Sequence, residues 1–303
     1  MVLFSSMLHA QEANILFNRL NMGVYNPAFT GTNGSFISLN SRAQWSSIAD
    51  APRTNYLIYQ LPQRNKVFLG FTAQNDRVFI ENKTHLTADY NYELQIDATR
   101  FLYLGLKAGG FYNNIDVDRL QRLYTTYNPA LAPVKSYFTP VLGVGVQWKT
   151  PRYFIGLGVP SIFNNKRFQD DGGWETTATD RPYAYFSGGV LFALPNDLTL
   201  EPNVIYRAMK DSPNLFMATV GLNYKDQFTV GTGLSNNDNL AFFVSSKSIK
   251  GLEWGYGYEF MNRSDATAIQ GVTHEFSLRF MLGTKQADNN NESARKDGYD
   301  ERN

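Results

Sequence analysis

Cysteine is absent from the 303 residues, so no disulfide framework, thiolate nucleophile or thiolate metal centre can exist. Histidine is scarce. His9, His85 and His274 show no paired spacing that would present two ring nitrogens to one metal, and a Ser/His/Asp relay cannot be assembled from their order. Charge of one sign is lacking too: 28 Lys and Arg stand against 27 Asp and Glu. A net charge of +1 provides no field to hold a polyanion, which argues against nucleic acid as a partner. Downstream of the N-terminus, no window approaches the roughly 18 uninterrupted apolar residues that a transmembrane helix needs. If a membrane is crossed, strands must cross it.

What the chain does have is aromatic residues and alternation. Aromatics make up 15% of it, with 18 Tyr and 22 Phe, a composition that suits strands and membrane-interface girdles better than helices. Between Lys83 and Gln95, Thr84, Leu86, Ala88, Tyr90, Tyr92 and Leu94 alternate with His85, Thr87, Asp89, Asn91, Glu93 and Gln95. Gly251 to Met261 and Val272 to Leu282 repeat the pattern. Each such run is about as long as a tilted strand crossing a bilayer. The reading is all-β: one transmembrane antiparallel β-barrel of about 14 strands, with lipid as the solvent of its outer face.

The strands are expected near residues 34–46, 54–61, 66–75, 83–95, 99–113, 137–149, 151–158, 183–194, 197–207, 213–225, 227–235, 239–248, 251–262 and 272–282. Connectors after even-numbered strands are tight, as at Gln63 to Asn65, Thr150-Pro151, Pro195-Asn196, Tyr224 to Gln227 and Ile249-Lys250. Those after odd-numbered strands include the longest, 114–136 and 160–182, together with 263–271. Membrane barrels segregate short periplasmic turns from long external loops in this way. The domain reading is therefore a signal-peptide remnant at 1–10, an N-terminal segment at 11–33, the barrel at 34–283 and a polar, disordered periplasmic tail at 284–303. The location expected is the outer membrane of a Gram-negative bacterium.

If the apolar faces meet lipid, Arg42 and Gln44, Asp89 and Glu93, Lys107, Glu201 and Arg207, Glu253 and Glu259, and Glu275 and Arg279 point inward. Opposite charges there either form a ladder that narrows the bore or line water. Pro27 and Gly31 favour a fixed turn over a strand, so the segment around Asn26 is expected to fold into or under the lumen as a plug. The loop Asp170-Asp171-Gly172-Gly173-Trp174-Glu175 has oxygen ligands and glycines, but its spacing is not that of an EF-hand and a solvated loop explains it equally.

A family resemblance is carried by an ordered series of motifs. Asn26-Pro27-Ala28-Phe29-Thr30-Gly31 is followed by Arg42-Ala43-Gln44-Trp45 and Ala51-Pro52-Arg53-Thr54. Later come Gly105-Leu106-Lys107-Ala108-Gly109, Tyr153-Phe154-Ile155-Gly156-Leu157-Gly158-Val159-Pro160, and Gly255-Tyr256-Gly257-Tyr258 with His274-Glu275. The series, over roughly residues 11–283, resembles the PorP/SprF family of type IX secretion and gliding membrane proteins. The resemblance implies a non-enzymatic outer-membrane barrel without cofactor or metal, which helps particular secreted cargo proteins leave the cell or stay at its surface. Its partners would be the C-terminal sorting domain of that cargo and other type IX components. Asn-Pro-Ala alone also resembles the N-terminal segment of FadL-type channels, so a channel for small hydrophobic solutes is the alternative. Tyr124, Tyr127, Phe163, Phe168 and Trp174 in the long loops are the candidate partner-binding residues, since aromatic anchors are enriched at binding hot spots.

Overall fold

The computed structural model describes residues 15–116, 119, 136–163, 165–170, 175–180, 182–210, 213–236, 239–248, 250–261 and 271–283. The first strands are β1 (Phe36–Ala43), β2 (Arg53–Gln60), β3 (Val67–Val78), β4 (Glu81–Gln95), β5 (Phe101–Ile115), β6 (Tyr137–Lys149) and β7 (Tyr153–Val159). A small separate hairpin, β8 (Asn165–Asp170) with β9 (Glu175–Asp180), stands in the connector that follows. The wall resumes with β10 (Tyr183–Val190), β11 (Phe192–Leu194), β12 (Leu198–Met209), β13 (Leu215–Tyr224) and β14 (Phe228–Ser235). It ends with β15 (Asn239–Lys247), β16 (Leu252–Met261) and β17 (Thr273–Met281).

Each wall strand pairs antiparallel with its neighbours, and β10 and β11 lie in line along β12 as one interrupted strand. Pairing of β1 with β17 closes the sheet into a fourteen-strand barrel without an edge. Closure satisfies the backbone polar groups between strands, which the bilayer interior cannot do.

The alternation sorts as the sequence indicates. Leu39, Leu57, Leu86, Leu106, Leu157 and Leu278 are exposed on the outside of the wall, while Ser38, Asn40, Asp89, Asn91, Lys107 and Glu275 are buried inside it. The chain's core is therefore the interior of the barrel, and its outer surface is apolar. Aromatics stand outward near both rims, as Tyr59, Tyr153, Tyr224 and Trp254 do at one end and Phe138, Phe186 and Phe276 at the other.

Several short turns are built on pairs of left-handed residues: Asn65-Lys66, Asn196-Asp197 and Lys225-Asp226. Two such residues in succession make the primed turns whose twist matches that of the flanking strands. Asp97 shapes another short turn by accepting from the backbone N–H groups of Thr99 (2.9 Å) and Arg100 (2.8 Å).

Residues 76–82, assigned to a connector, are mostly strand: β3 and β4 meet across a two-residue turn, Phe79-Ile80, on the otherwise long-loop side. Asp76, Arg77, Glu81 and Asn82 are polar on both faces, so no alternation marks them. The hairpin β8–β9 likewise occupies part of a stretch assigned to a loop.

Candidate functional site

Residues 15–35 lie inside the barrel. Three single 3₁₀ turns, Asn18–Leu20, Met22–Val24 and Pro27–Phe29, carry the chain across the bore. The last turn begins at Asn26, whose side chain accepts from Ala28 N at 2.9 Å, and Pro27 stands first in the turn, where its missing N–H costs nothing. Ile15, Ala28 and Thr30 are completely buried. Their surroundings are the inward faces of the wall.

Glycines on the wall make this possible. A Cβ added at Gly145 on β6 would stand 1.9 Å from Asn26 Oδ1, at Gly105 on β5 2.2 Å from Ala28 N, and at Gly158 on β7 2.7 Å from Asn26 Cβ. Gly156 receives the ring of Phe29, while Gly255 and Gly257 on β16 receive Phe17 and Leu16. The sequence motifs around 26, 105, 156 and 255 are thus parts of one unit, the segment and its seat. Gly31 (φ 78°) turns the chain back towards β1 against Phe68. Aromatic contacts fill the rest: Tyr25 meets Tyr185 at a centroid distance of 4.8 Å and Phe29 meets Phe154 at 5.3 Å.

Polar contacts fix the register. Glu275 on β17, 1% exposed, accepts from Leu16 N (2.8 Å), Phe17 N (3.1 Å), Asn40 Nδ2 (3.0 Å) and Arg42 (3.1 Å). Arg42 also forks onto both oxygens of Glu259 at 2.9 Å, so one guanidinium joins β1, β16 and β17. Across the bore, Lys107 pairs with Asp89 at 2.9 Å and donates to Gly23 O, and Thr30 Oγ1 donates to Asp89. Asn91 Nδ2 bridges Ala28 O and Thr30 O, and Gln60 accepts from Gly31 N at 2.7 Å. Arg279 donates to Leu20 O, Arg19 pairs with Glu201, Lys149 donates to Thr32 O and Asn203 donates to Asn18. Buried charges persist when paired and hydrogen-bonded. Here the pairing also ties the segment to strands on all sides.

A cavity of about 960 Å³ opens at the short-turn end beneath the segment, between Arg19, Glu93, Tyr103, Lys149, Glu201 and Glu253. Its size is that of a ligand pocket, and its carboxylates and cations are balanced. Among the described residues no group of three or more His, Asp or Glu is placed to hold a metal.

The residues singled out from sequence separate into distinct places. Asn26, Pro27, Ala28 and Gly31 belong to the inner segment, and Arg42 is the wall residue that reaches Glu275 and Glu259. Gln44 and Trp45 sit in the β1–β2 connector at the long-loop rim, where Gln44 N donates to Pro52 O and Trp45 packs on Gly271. Phe163 is exposed past β7. Phe168 falls within β8, while Tyr124, Tyr127 and Trp174, like residues 1–10, the tail 284–303 and the centre of the acidic loop at 171–174, lie outside the described residues. Sequence reading missed Gln60, Asn91, Lys149 and Asn203 as holders of the segment. The signal available for the seat was glycine in successive inward positions, at Gly156 and Gly158 and at Gly255 and Gly257.

The fold has solved counterparts among outer-membrane barrels. The P. putida toluene transporter TodX is similar at 10% identity, over 87% of this chain and 94% of that one, with a TM-score of 0.53. The Acinetobacter baumannii outer membrane protein Omp33 aligns at 7% identity over 82% and 98%, with a TM-score of 0.49. The CymD monoaromatic hydrocarbon channel aligns at 10% identity over 88% and 94%, with a TM-score of 0.48. At these identities the likeness to TodX is one of fold. No curated protein matches the chain. The family match runs from residue 10 to residue 280, from the inner segment through the last wall strand, and it places the chain in the PorP/SprF family of type IX secretion system membrane proteins.

Proposed function

We propose that this outer-membrane barrel is a non-enzymatic component of the type IX system that assists secretion or surface attachment of specific cargo proteins, and that residues 15–35 act as a plug built into it. The observation that carries this reading is the bore itself. The inner segment is anchored by side chains from β2, β4, β5, β12 and β17 and seated on glycines of β5, β6, β7 and β16, so the middle of the lumen is filled with protein. A barrel filled in this way acts through its rims and outer face. On the long-loop side, Phe163 and the loop aromatics Tyr124, Tyr127, Phe168 and Trp174 would take the C-terminal sorting domain of an exported protein. On the other side, Leu282 and Gly283 leave the wall beside the cavity, so residues 284–303 would extend into the periplasm towards other type IX components.

The decisive experiment deletes the gene and compares surface and released proteomes with uptake of a small hydrophobic solute. Loss of one or a few surface proteins with uptake unchanged is expected. Unchanged proteomes with lowered uptake would overturn the secretion reading in favour of the second one, a channel for hydrophobic solutes. That second reading has the cavity and the TodX-like fold in its support. Within the first, Phe168→Ser with Trp174→Ser is expected to leave the barrel folded while releasing cargo into the medium, as read by mass spectrometry of culture supernatant.

A further inference from the structure

At the long-loop end the outward face of the wall is apolar and aromatic over most of its circumference. Phe138 on β6, Phe186 on β10, Tyr206 on β12, Phe216 on β13, Phe242 on β15 and Phe276 on β17 all stand there exposed. The sector formed by β1 to β5 differs. Backbone register aligns Arg53, Arg77, Asn82 and Asn114 in the outward row nearest the loops. The next row holds Ser41, Asn55, Asn75 and Thr84 and ends on β5 at the exposed Tyr112, and the row below holds Leu39, Leu57, Ala73 and Leu86. A basic and amide patch therefore sits directly above an apolar, lipid-facing surface on the same strands. β4 and β5, at 15 residues each, exceed the roughly 9–11 that cross a bilayer, so their ends rise into the headgroup layer.

The amides and hydroxyls of the patch satisfy one another: Ser41 donates to Asn55 at 2.8 Å, and Asn75 donates to Asn82 at 2.6 Å and Thr84 at 2.9 Å. Among the described residues the two arginines have no such partner. Arg53 and Arg77 are directly opposite across the β2–β3 pair, both exposed, and no described carboxylate forms an ion pair with either. Asp50 feels the charge of Arg77 but forms its ion pair with Arg119. Like charges directly opposite on neighbouring strands repel, and an anion between them removes the repulsion. Guanidinium forks suit phosphate oxygens, and long cationic side chains at a bilayer rim extend to the headgroups.

We propose that Arg53 and Arg77 form a headgroup site for a phosphorylated glycolipid of the outer leaflet, with the phosphate between the two guanidiniums and the acyl chains on Leu57, Ala73 and Leu86. The apolar rows immediately beneath the patch specify the occupant: a free phosphate or a polar peptide would leave them unused, whereas a lipid has an acyl body below an anionic head. The inference rests on the long-loop end facing the outer leaflet, which a surface-tag experiment tests separately.

The purified barrel in detergent would be given lipid A, lipid A stripped of phosphate, or phosphatidylglycerol, with retained lipid read by native mass spectrometry and folding by heat-modifiable gel mobility. Wild-type protein is expected to retain lipid A about tenfold better than either alternative. The double variant R53Q/R77Q should lose that preference with its mobility unchanged. Arg100→Gln, which removes a cation from the opposite rim, should keep it. Equal retention by wild-type and double variant, or phosphatidylglycerol retained as well as lipid A, overturns the proposal. Should the double variant misfold, wild-type retention decides alone: no preference for lipid A over its phosphate-free form overturns it.

Discussion

Within the bore, single atoms decide whether the inner segment fits. Gly145 cannot accept a methyl group, because its Cβ would stand 1.9 Å from Asn26 Oδ1, an atom already bonded to Ala28 N. Overpacking of this kind costs about 1–3 kcal/mol. Gly145→Ala is therefore expected to lower the unfolding midpoint by several degrees and to expose residues 15–35 to protease. Gly188→Ala, whose Cβ meets nothing nearer than 3.6 Å, should change neither. The Lys107–Asp89 pair obeys a different rule. Both side chains are buried, so Lys107→Met leaves a carboxylate with Thr30 alone, a loss of about 3–5 kcal/mol for a broken buried pair. The double variant Asp89→Leu with Lys107→Met should recover much of that stability, as read by urea unfolding in vesicles. The individual charges were visible in the sequence, but their partners were not. Arg42 lies 217 and 233 positions from its two carboxylates, and no local pattern encodes a contact across that distance.

The strand is the scale at which the sequence was most informative. Alternation is a property of consecutive residues, and each switch of face is one peptide long, so Asp89 inward and Ala88 outward could be read directly. β4 offers a test of depth along one face. Ala88 and Thr84 both point outward, but Ala88 lies among the apolar rows and Thr84 in the polar row near the rim. Arginine costs about 2–4 kcal/mol at the bilayer midplane of a barrel and about 0–1 near the interface. Ala88→Arg is thus expected to reduce the folded, heat-modifiable band sharply while Thr84→Arg leaves it nearly intact; equal defects would contradict the depth assignment. Legibility failed where strands leave the membrane. Once the outer face meets headgroups or water, both faces are polar, and so Asp76 to Asn82 reads as a connector although β3 and β4 nearly meet there.

The whole molecule is a closed wall around its own N-terminal segment, with short turns at one end and the longest connectors at the other. Orientation follows from that asymmetry. Epitope tags inserted in 114–136 or in 160–182 are expected to bind antibody on intact cells, and a tag at Pro195-Asn196 only after the outer membrane is opened. An exposed short-turn tag would invert the topology. What the sequence determined by itself was the fourteen strands of the wall within the membrane, their inward and outward faces and the family, because period-two patterning and ordered motifs are legible residue by residue. It could not decide that the motifs around Asn26, Gly105, Gly158 and Gly255 form one seat, or that Glu275 holds the segment by the backbone of Leu16 and Phe17. Those contacts exist only after β1 meets β17 and the barrel closes, since closure brings residues more than two hundred positions apart to within hydrogen-bonding distance.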